Sequence, residues 1–172
     1  MLVMAAVAEI RSNGLWVIVA SFIIAMLFSV VALPDSIPWE LGYLRPQWVV
    51  LVLIYWIIAL PHRIGIVVAW LVGLLLDVLL GSLLGQHGMA FIVVAYIASS
   101  LYQRLRMFAV WQQSLIVFAT VGLSQMINFW VENLAGLSEW DMWYLVSAFI
   151  SALLWPWVFM VLRYLRRVFN VT

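Results

Sequence analysis

The chain has 172 residues, 68% of them hydrophobic and 9% charged, with a net charge of +1 and a mean hydropathy of +1.17. Soluble domains use about 45–50% apolar residues, so the composition excludes a water-soluble globular domain and implies an integral membrane protein with short loops. Cysteine is absent, which excludes disulfides and thiolate metal sites, and all eight basic residues are arginine.

Residues 1–14 form a short amphipathic lead carrying Glu9 and Arg11, and residues 15–33 follow without a charge. About 20 apolar residues cross the hydrocarbon core, so this run reads as the first span. It has no convincing small-residue cleavage site and is expected to be retained, not removed as a signal peptide. Pro34, Pro38 and Gly42 then break the helix in a loop made acidic by Asp35 and Glu40. Arg45-Pro46-Gln47-Trp48 opens the second run, 46–60, with proline suited to a first helical turn and tryptophan to the membrane boundary. The compact turn Pro61-His62-Arg63 leads into the third run, 64–80, which predicts an antiparallel pair of helices. The fourth run, 88–102, ends before Arg104 and Arg106. Trp111, Gln112 and Gln113 read as interfacial residues ahead of the fifth run, 114–131, in which Gln125, Asn128 and Glu132 fall on one helical stripe. An acidic loop with Glu132, Glu139 and Asp141 precedes the last run, 142–162, which Trp155-Pro156-Trp157 interrupts. Other tryptophans (Trp39, Trp48, Trp111, Trp140, Trp143, Trp155, Trp157) read mainly as an interfacial belt.

These runs predict an all-α integral membrane protein, a polytopic bundle of six transmembrane helices forming a single membrane domain over residues 1–172. Arg11, Arg63, Arg104, Arg106, Arg163, Arg166 and Arg167 collect on one side, while Arg45 stands alone on the other with most of the acids. Cytoplasmic loops retain arginine during insertion, so both termini are expected in the cytoplasm.

One stretch stands apart: Gly73 to Gly88, with a single carboxylate, Asp77, in an apolar setting. Gly73, Asp77 and Gly81 recur at i, i+4, i+8 and would stack along one helix face as a narrow groove. A carboxylate at membrane depth costs about 2.5–3.5 kcal/mol on insertion scales, so Asp77 is expected to face the bundle and not lipid. Two readings stay open for it, a hydrogen-bond anchor between helices or a direct contact with a ligand, ion or partner. Gln125 and Asn128 read as polar contacts inside the bundle. Catalytic patterns are missing: there is no HExxH and no Gly-rich phosphate loop, and no serine has an evident histidine and acid partner. His62 and His87 are expected in turns on opposite sides of the membrane, too far apart to share a metal. Only Asp77 lies deep, whereas an intramembrane aspartyl protease needs two carboxylates. No enzyme, cofactor or metal is predicted.

The ordered set Arg45-Pro46-Gln47-Trp48, Tyr55-Trp56, Leu60-Pro61-His62-Arg63, the GLLLDVLLGSLLG segment, Trp111-Gln112-Gln113 and Leu154-Trp155-Pro156-Trp157 closely resembles the rod shape-determining MreD family of Gram-negative bacteria. The resemblance spans nearly the whole chain, least in residues 132–140. It implies a subunit of the cell-elongation machinery in the bacterial inner membrane, working with MreC, the MreB filament, the glycosyltransferase RodA and a class B penicillin-binding transpeptidase. It also implies a fold similar to the substrate-binding subunits of energy-coupling-factor transporters. The function expected is then a non-enzymatic scaffold that maintains rod shape. The alternative is a vitamin-like small-molecule binding subunit of an importer. Gly73, Asp77, Gly81, Gln125, Asn128, Arg45, Arg104 and Arg106 are the candidate structural and partner positions.

Overall fold

Every long apolar run folds as an α-helix in the computed structural model, which describes residues 14–30, 45–136 and 143–171. The helices are α1 (Leu15–Val30), α2 (Trp48–Ala59), α3 (Ile66–Leu80), α4 (Gln86–Met107), α5 (Val110–Leu134) and α6 (Trp143–Val168). They take in 84% of the described residues, among which there is no strand. Three of them, α4, α5 and α6, are long and apolar enough to cross a membrane, while α1, α2 and α3 are shorter apolar helices of 16, 12 and 15 residues. The acidic loop around Asp35 and Glu40, the loop acids Glu139 and Asp141, and the lead with Glu9 and Arg11 lie outside the described residues.

The helix ends depart from the hydrophobic runs in a consistent way. The fourth run was expected to stop at residue 102, but α4 continues to Met107 and carries Arg104 and Arg106 in its last turn. The last run was expected to stop at residue 162, but α6 continues to Val168 and includes Arg163, Arg166 and Arg167. Polarity ends a hydrophobic run, not a helix, and arginine is a good helix former that also suits a helix C-terminus. Nor does Pro156 interrupt α6, which runs through it. A proline removes one backbone N–H, a loss that membrane helices tolerate when neighbours or side chains re-satisfy the freed carbonyl.

The bundle is organised around α2. Eleven of its residues, Val49 through Ala59, are buried, and α1, α4, α5 and α6 all pack against it. A helix apolar on every side can be enclosed by protein or by lipid; here protein encloses it. At 1.5 Å per residue α2 spans about 18 Å, well short of the roughly 30 Å of hydrocarbon. Two contacts, one polar and one aromatic, hold it in register. Trp56 is fully buried, and its indole Nε1 donates to Ser21 Oγ on α1 at 2.8 Å. At the other side Tyr55 meets Phe159 of α6 edge-on, with 5.6 Å between ring centroids.

The expected antiparallel pair of α2 and α3 is not formed. Instead α3 lies against α4 and, less extensively, α1. The glycines explain the choice. A Cβ built on Gly73 would fall 2.6 Å from the Cα and N of Gly88 in α4, so backbone touches backbone there. Between lipid-embedded helices such close van der Waals contact replaces the hydrophobic effect as the source of association.

Candidate functional site

The Asp77 carboxylate is completely buried, in the last turn of α3. Gly81 ends that helix in the left-handed region at φ 66°, and its N–H donates to the Asp77 carbonyl. Glycine adopts this backbone without steric cost, which is why it recurs just past helix C-termini. After a short turn, α4 begins behind Gly85, whose φ is 94°.

Across this turn the Asp77 side chain gathers its partners from the next helix start. Oδ2 accepts the Gly85 N–H at 2.8 Å, and Oδ1 accepts the His87 N–H at 3.0 Å and the Ser82 hydroxyl at 2.9 Å. His87 Nδ1 lies 2.7 Å from Oδ1 as well. The first N–H groups of a helix have no partner within it, and the helix dipole favours an anion there. Asp77 therefore closes the N-terminus of α4 from inside. Three of its four contacts fall on Oδ1 and one on Oδ2, and all come from its own chain.

One feature of the expected groove changes. Gly73 admits a close helix, as expected, through Gly88, but Gly81 does not line that contact: nothing lies within 4 Å of a Cβ built on it. Gly81 is there for its backbone conformation. Sequence reasoning also missed that Ser82, His87 and Asp77 come together, since their i+5 and i+10 separations reflect a turn and not a helical period. This is a serine, a histidine and an acid in one cluster, contrary to the expectation that no serine has such partners. Its geometry is nevertheless wrong for nucleophile activation. In a catalytic triad the imidazole holds the acid on one nitrogen and the serine on the other. Here Ser82 Oγ and Asp77 both face Nδ1, the serine at 3.5 Å, and the hydroxyl donates to the carboxylate.

The polar stripe of α5 extends this end of the bundle. Gln86, in the first turn of α4 and 2% exposed, donates from Nε2 to Glu132 Oε1. Gln125 and Asn128 are buried, and their side-chain oxygens Oε1 and Oδ1 have no hydrogen-bond partner. They are not the polar bridges the stripe suggested. Arg45 sits where the chain enters α2; its carbonyl accepts the Ser147 hydroxyl of α6, while the Gln47 N–H donates to Ser151 Oγ at 2.9 Å.

At the opposite, basic end both arginines of α4 are exposed, but Arg106 is also anchored. Its Nε donates to the Ile58 carbonyl at 2.9 Å and an Nη to the Ala59 carbonyl at 3.0 Å, satisfying the end of α2. Gln113, expected at the interface, is buried. Its Nε2 donates to the carbonyls of Leu105 and Phe108, and its Oε1 accepts the Trp155 indole at 3.1 Å. Trp155 is accordingly fully buried and not part of a belt, unlike Trp111 and Trp157, which are exposed; Trp48 is half-buried. Trp39, Trp140 and the Trp143 side chain lie outside the described residues.

Six apolar helices among the described residues, three of them long enough to cross a membrane, with the buried carboxylate hydrogen-bonded within the bundle, define a helical integral membrane protein. Residues 10–165 match the family model described as rod shape-determining protein MreD. The chain is also similar to the rod shape-determining protein MreD of Haemophilus influenzae, 37% identical over 148 residues, which are 85% of this chain and 91% of that one. It belongs to the MreD family of rod shape-determining proteins. No solved structure matches it.

Proposed function

We propose that the protein is a non-enzymatic scaffold of the cell-elongation complex in the bacterial inner membrane, acting by contact and not by chemistry. The family match across residues 10–165 carries this reading. The Asp77 cluster supports it, because a carboxylate already holding four internal contacts has little capacity left for catalysis. In this reading the six helices are six membrane passes of one domain over residues 1–172, and both termini are cytoplasmic. The fold is similar to the substrate-binding subunits of energy-coupling-factor transporters. MreC lies along the bundle, and the basic end faces the MreB filament, with RodA and a class B transpeptidase as further partners. Gly73, Asp77 and Gly81 then keep the α3–α4 unit in shape, Gln125 and Asn128 belong to the bundle interior, and Arg45, Arg104 and Arg106 mark its two water-facing ends.

Depletion should turn rods into spheres, and re-expression of the chain should restore them. Unchanged shape at complete depletion would remove the scaffold reading. MreC lacking its transmembrane helix should be retained less well in mild detergent than intact MreC. Equal retention would move the contact to water-exposed loops. The importer alternative draws on the two orphaned oxygens of Gln125 and Asn128. Neither residue lines the cavities at the basic end or the apolar groove between α5 and α6, and a small molecule that persists through purification in stoichiometric amount is what that alternative requires.

A further inference from the structure

Three arginines from two helices converge on one cavity at the basic end. Arg106 of α4 and Arg163 and Arg166 of α6 line a space of about 240 Å³ together with Tyr55 and Gln113, and no acidic residue contributes to its wall. None of the three forms an ion pair among the described residues. A second cavity of about 370 Å³, lined by His62, Arg63 and Tyr102, shares Arg106 with the first.

Arginines that only set topology can spread over a water-facing surface, where their charges are hydrated and far apart. Here Arg166 is half-buried, and Arg106 and Arg163, although exposed, are held in place. Arg106 spends Nε and one Nη on the last carbonyls of α2 and lies against the Tyr102 ring, 5.5 Å from its centroid. Arg163 lies over Phe159 at 5.9 Å, and Arg166 Nε donates to the Val171 carbonyl at 3.3 Å. Each guanidinium has five N–H donors and no acceptor, so each keeps donors beyond those used. Three like charges fixed around one concavity repel until an anion enters. Forked guanidinium donors match the oxygens of a phosphate group, a geometry that lysine does not reproduce.

The geometry points to an anion-binding pocket formed by Arg106, Arg163 and Arg166 that takes a phosphate group, presented by the headgroup of an anionic lipid or by free phosphate. The pocket does not depend on the proposed elongation partners.

The test uses the full chain in a neutral detergent. Thermal melting is followed while short-chain phosphatidylglycerol, short-chain phosphatidylcholine or inorganic phosphate is titrated. Saturable stabilisation by phosphatidylglycerol and none by phosphatidylcholine is expected, and stabilisation by inorganic phosphate as well identifies the free ion as a second source. Arg163→Gln with Arg166→Gln should raise the half-saturating concentration by about tenfold or more. The charge-matched pair Arg104→Gln with Arg167→Gln, outside the lining, should leave it within about twofold of wild type. If the glutamine pair does not fold, Arg163→Lys with Arg166→Lys decides the matter, with weakening of about threefold or more expected from loss of the forked donors at unchanged charge. Equal weakening by the Arg104/Arg167 pair, no loss on the lysine exchange, or equal stabilisation by both lipids would each overturn the pocket.

Discussion

At Gly73 two helix backbones touch, and a single methyl group there should be costly. A Cβ there would lie 2.6 Å from two backbone atoms of Gly88 and 2.8 Å from the His87 carbonyl carbon. Carbon atoms settle at about 3.5–4.0 Å, so α3 and α4 must part by about 1 Å at the crossing. Overpacking of this kind costs about 1–3 kcal/mol. The same shift draws the His87 N–H, now 3.0 Å from Asp77 Oδ1, away from its acceptor. Losing one hydrogen bond to a charged group adds about 1.5–3 kcal/mol. Alanine recovers about 1 kcal/mol through its better helix propensity. The net expectation for Gly73→Ala is a loss of about 1.5–5 kcal/mol. Gly88→Ala is the informative partner. Its Cβ would meet the Trp70 side chain at 3.2 Å and 3.3 Å, not backbone, and a side chain can give way, so about 1 kcal/mol or less is expected. Thermal melting of the purified proteins in detergent, with the monodisperse fraction on gel filtration, separates the two. A Gly73→Ala protein that melts like wild type, or a Gly88→Ala protein that loses as much, would show that the helices do not meet backbone to backbone.

Gly81→Leu should cost about 1–2 kcal/mol through its left-handed backbone alone, so it should yield more folded protein than Gly73→Leu in the same expression assay. Asp77→Asn keeps the shape and some hydrogen bonding, and should also be better tolerated than Gly73→Leu; loss of rod shape at normal protein level would show that the charge itself acts. Trp155→Phe leaves the buried Gln113 Oε1 without its donor and should lower stability by about 1–3 kcal/mol, whereas Trp111→Phe at the exposed face should stay within about 0.5 kcal/mol; equal melting curves for the two would contradict the hydrogen bond. Reporters fused after Arg106 and after Arg167 should both read cytoplasm, and one placed between residues 134 and 140 should read periplasm; a periplasmic C-terminus would overturn the proposed orientation.

The positions of the helices could be read from the chain because uninterrupted apolar runs are bounded by proline, glycine or arginine. Their mutual arrangement could not. Burial by protein and burial by lipid demand the same side chains, so α2, enclosed on all sides, and α3, with Leu75 and Val78 exposed, look alike as sequences. Trp155 and Trp157 pose the same problem two residues apart: one is core and one is surface, and only Gln113, 42 positions away, tells which. Asp77 stood out as a lone deep carboxylate, but its partners did not. Ser82, Gly85 and His87 reach it through a turn that depends on positive φ at Gly81 and Gly85, and periodicity cannot see a turn. The remaining clue was compositional, since Ser82, Gln86 and His87 are the polar side chains of the segment that follows Asp77.

All four contacts of the Asp77 carboxylate come from within ten residues downstream of it, and this bears on how the protein is made. A hairpin of α3 and α4 can leave the ribosome and partition into lipid with its charge already shielded, before α5 or α6 exists. The barrier set by a bare carboxylate is thereby avoided at the step where it would matter most. The α2 helix has the opposite history in store. It is synthesised before α4, α5 and α6, three of the helices that will enclose it, so it must wait at the translocation machinery or in lipid, too short to span comfortably, until they arrive. Insertion is therefore expected to be slowest at α2, while the segment that carries Asp77 inserts readily.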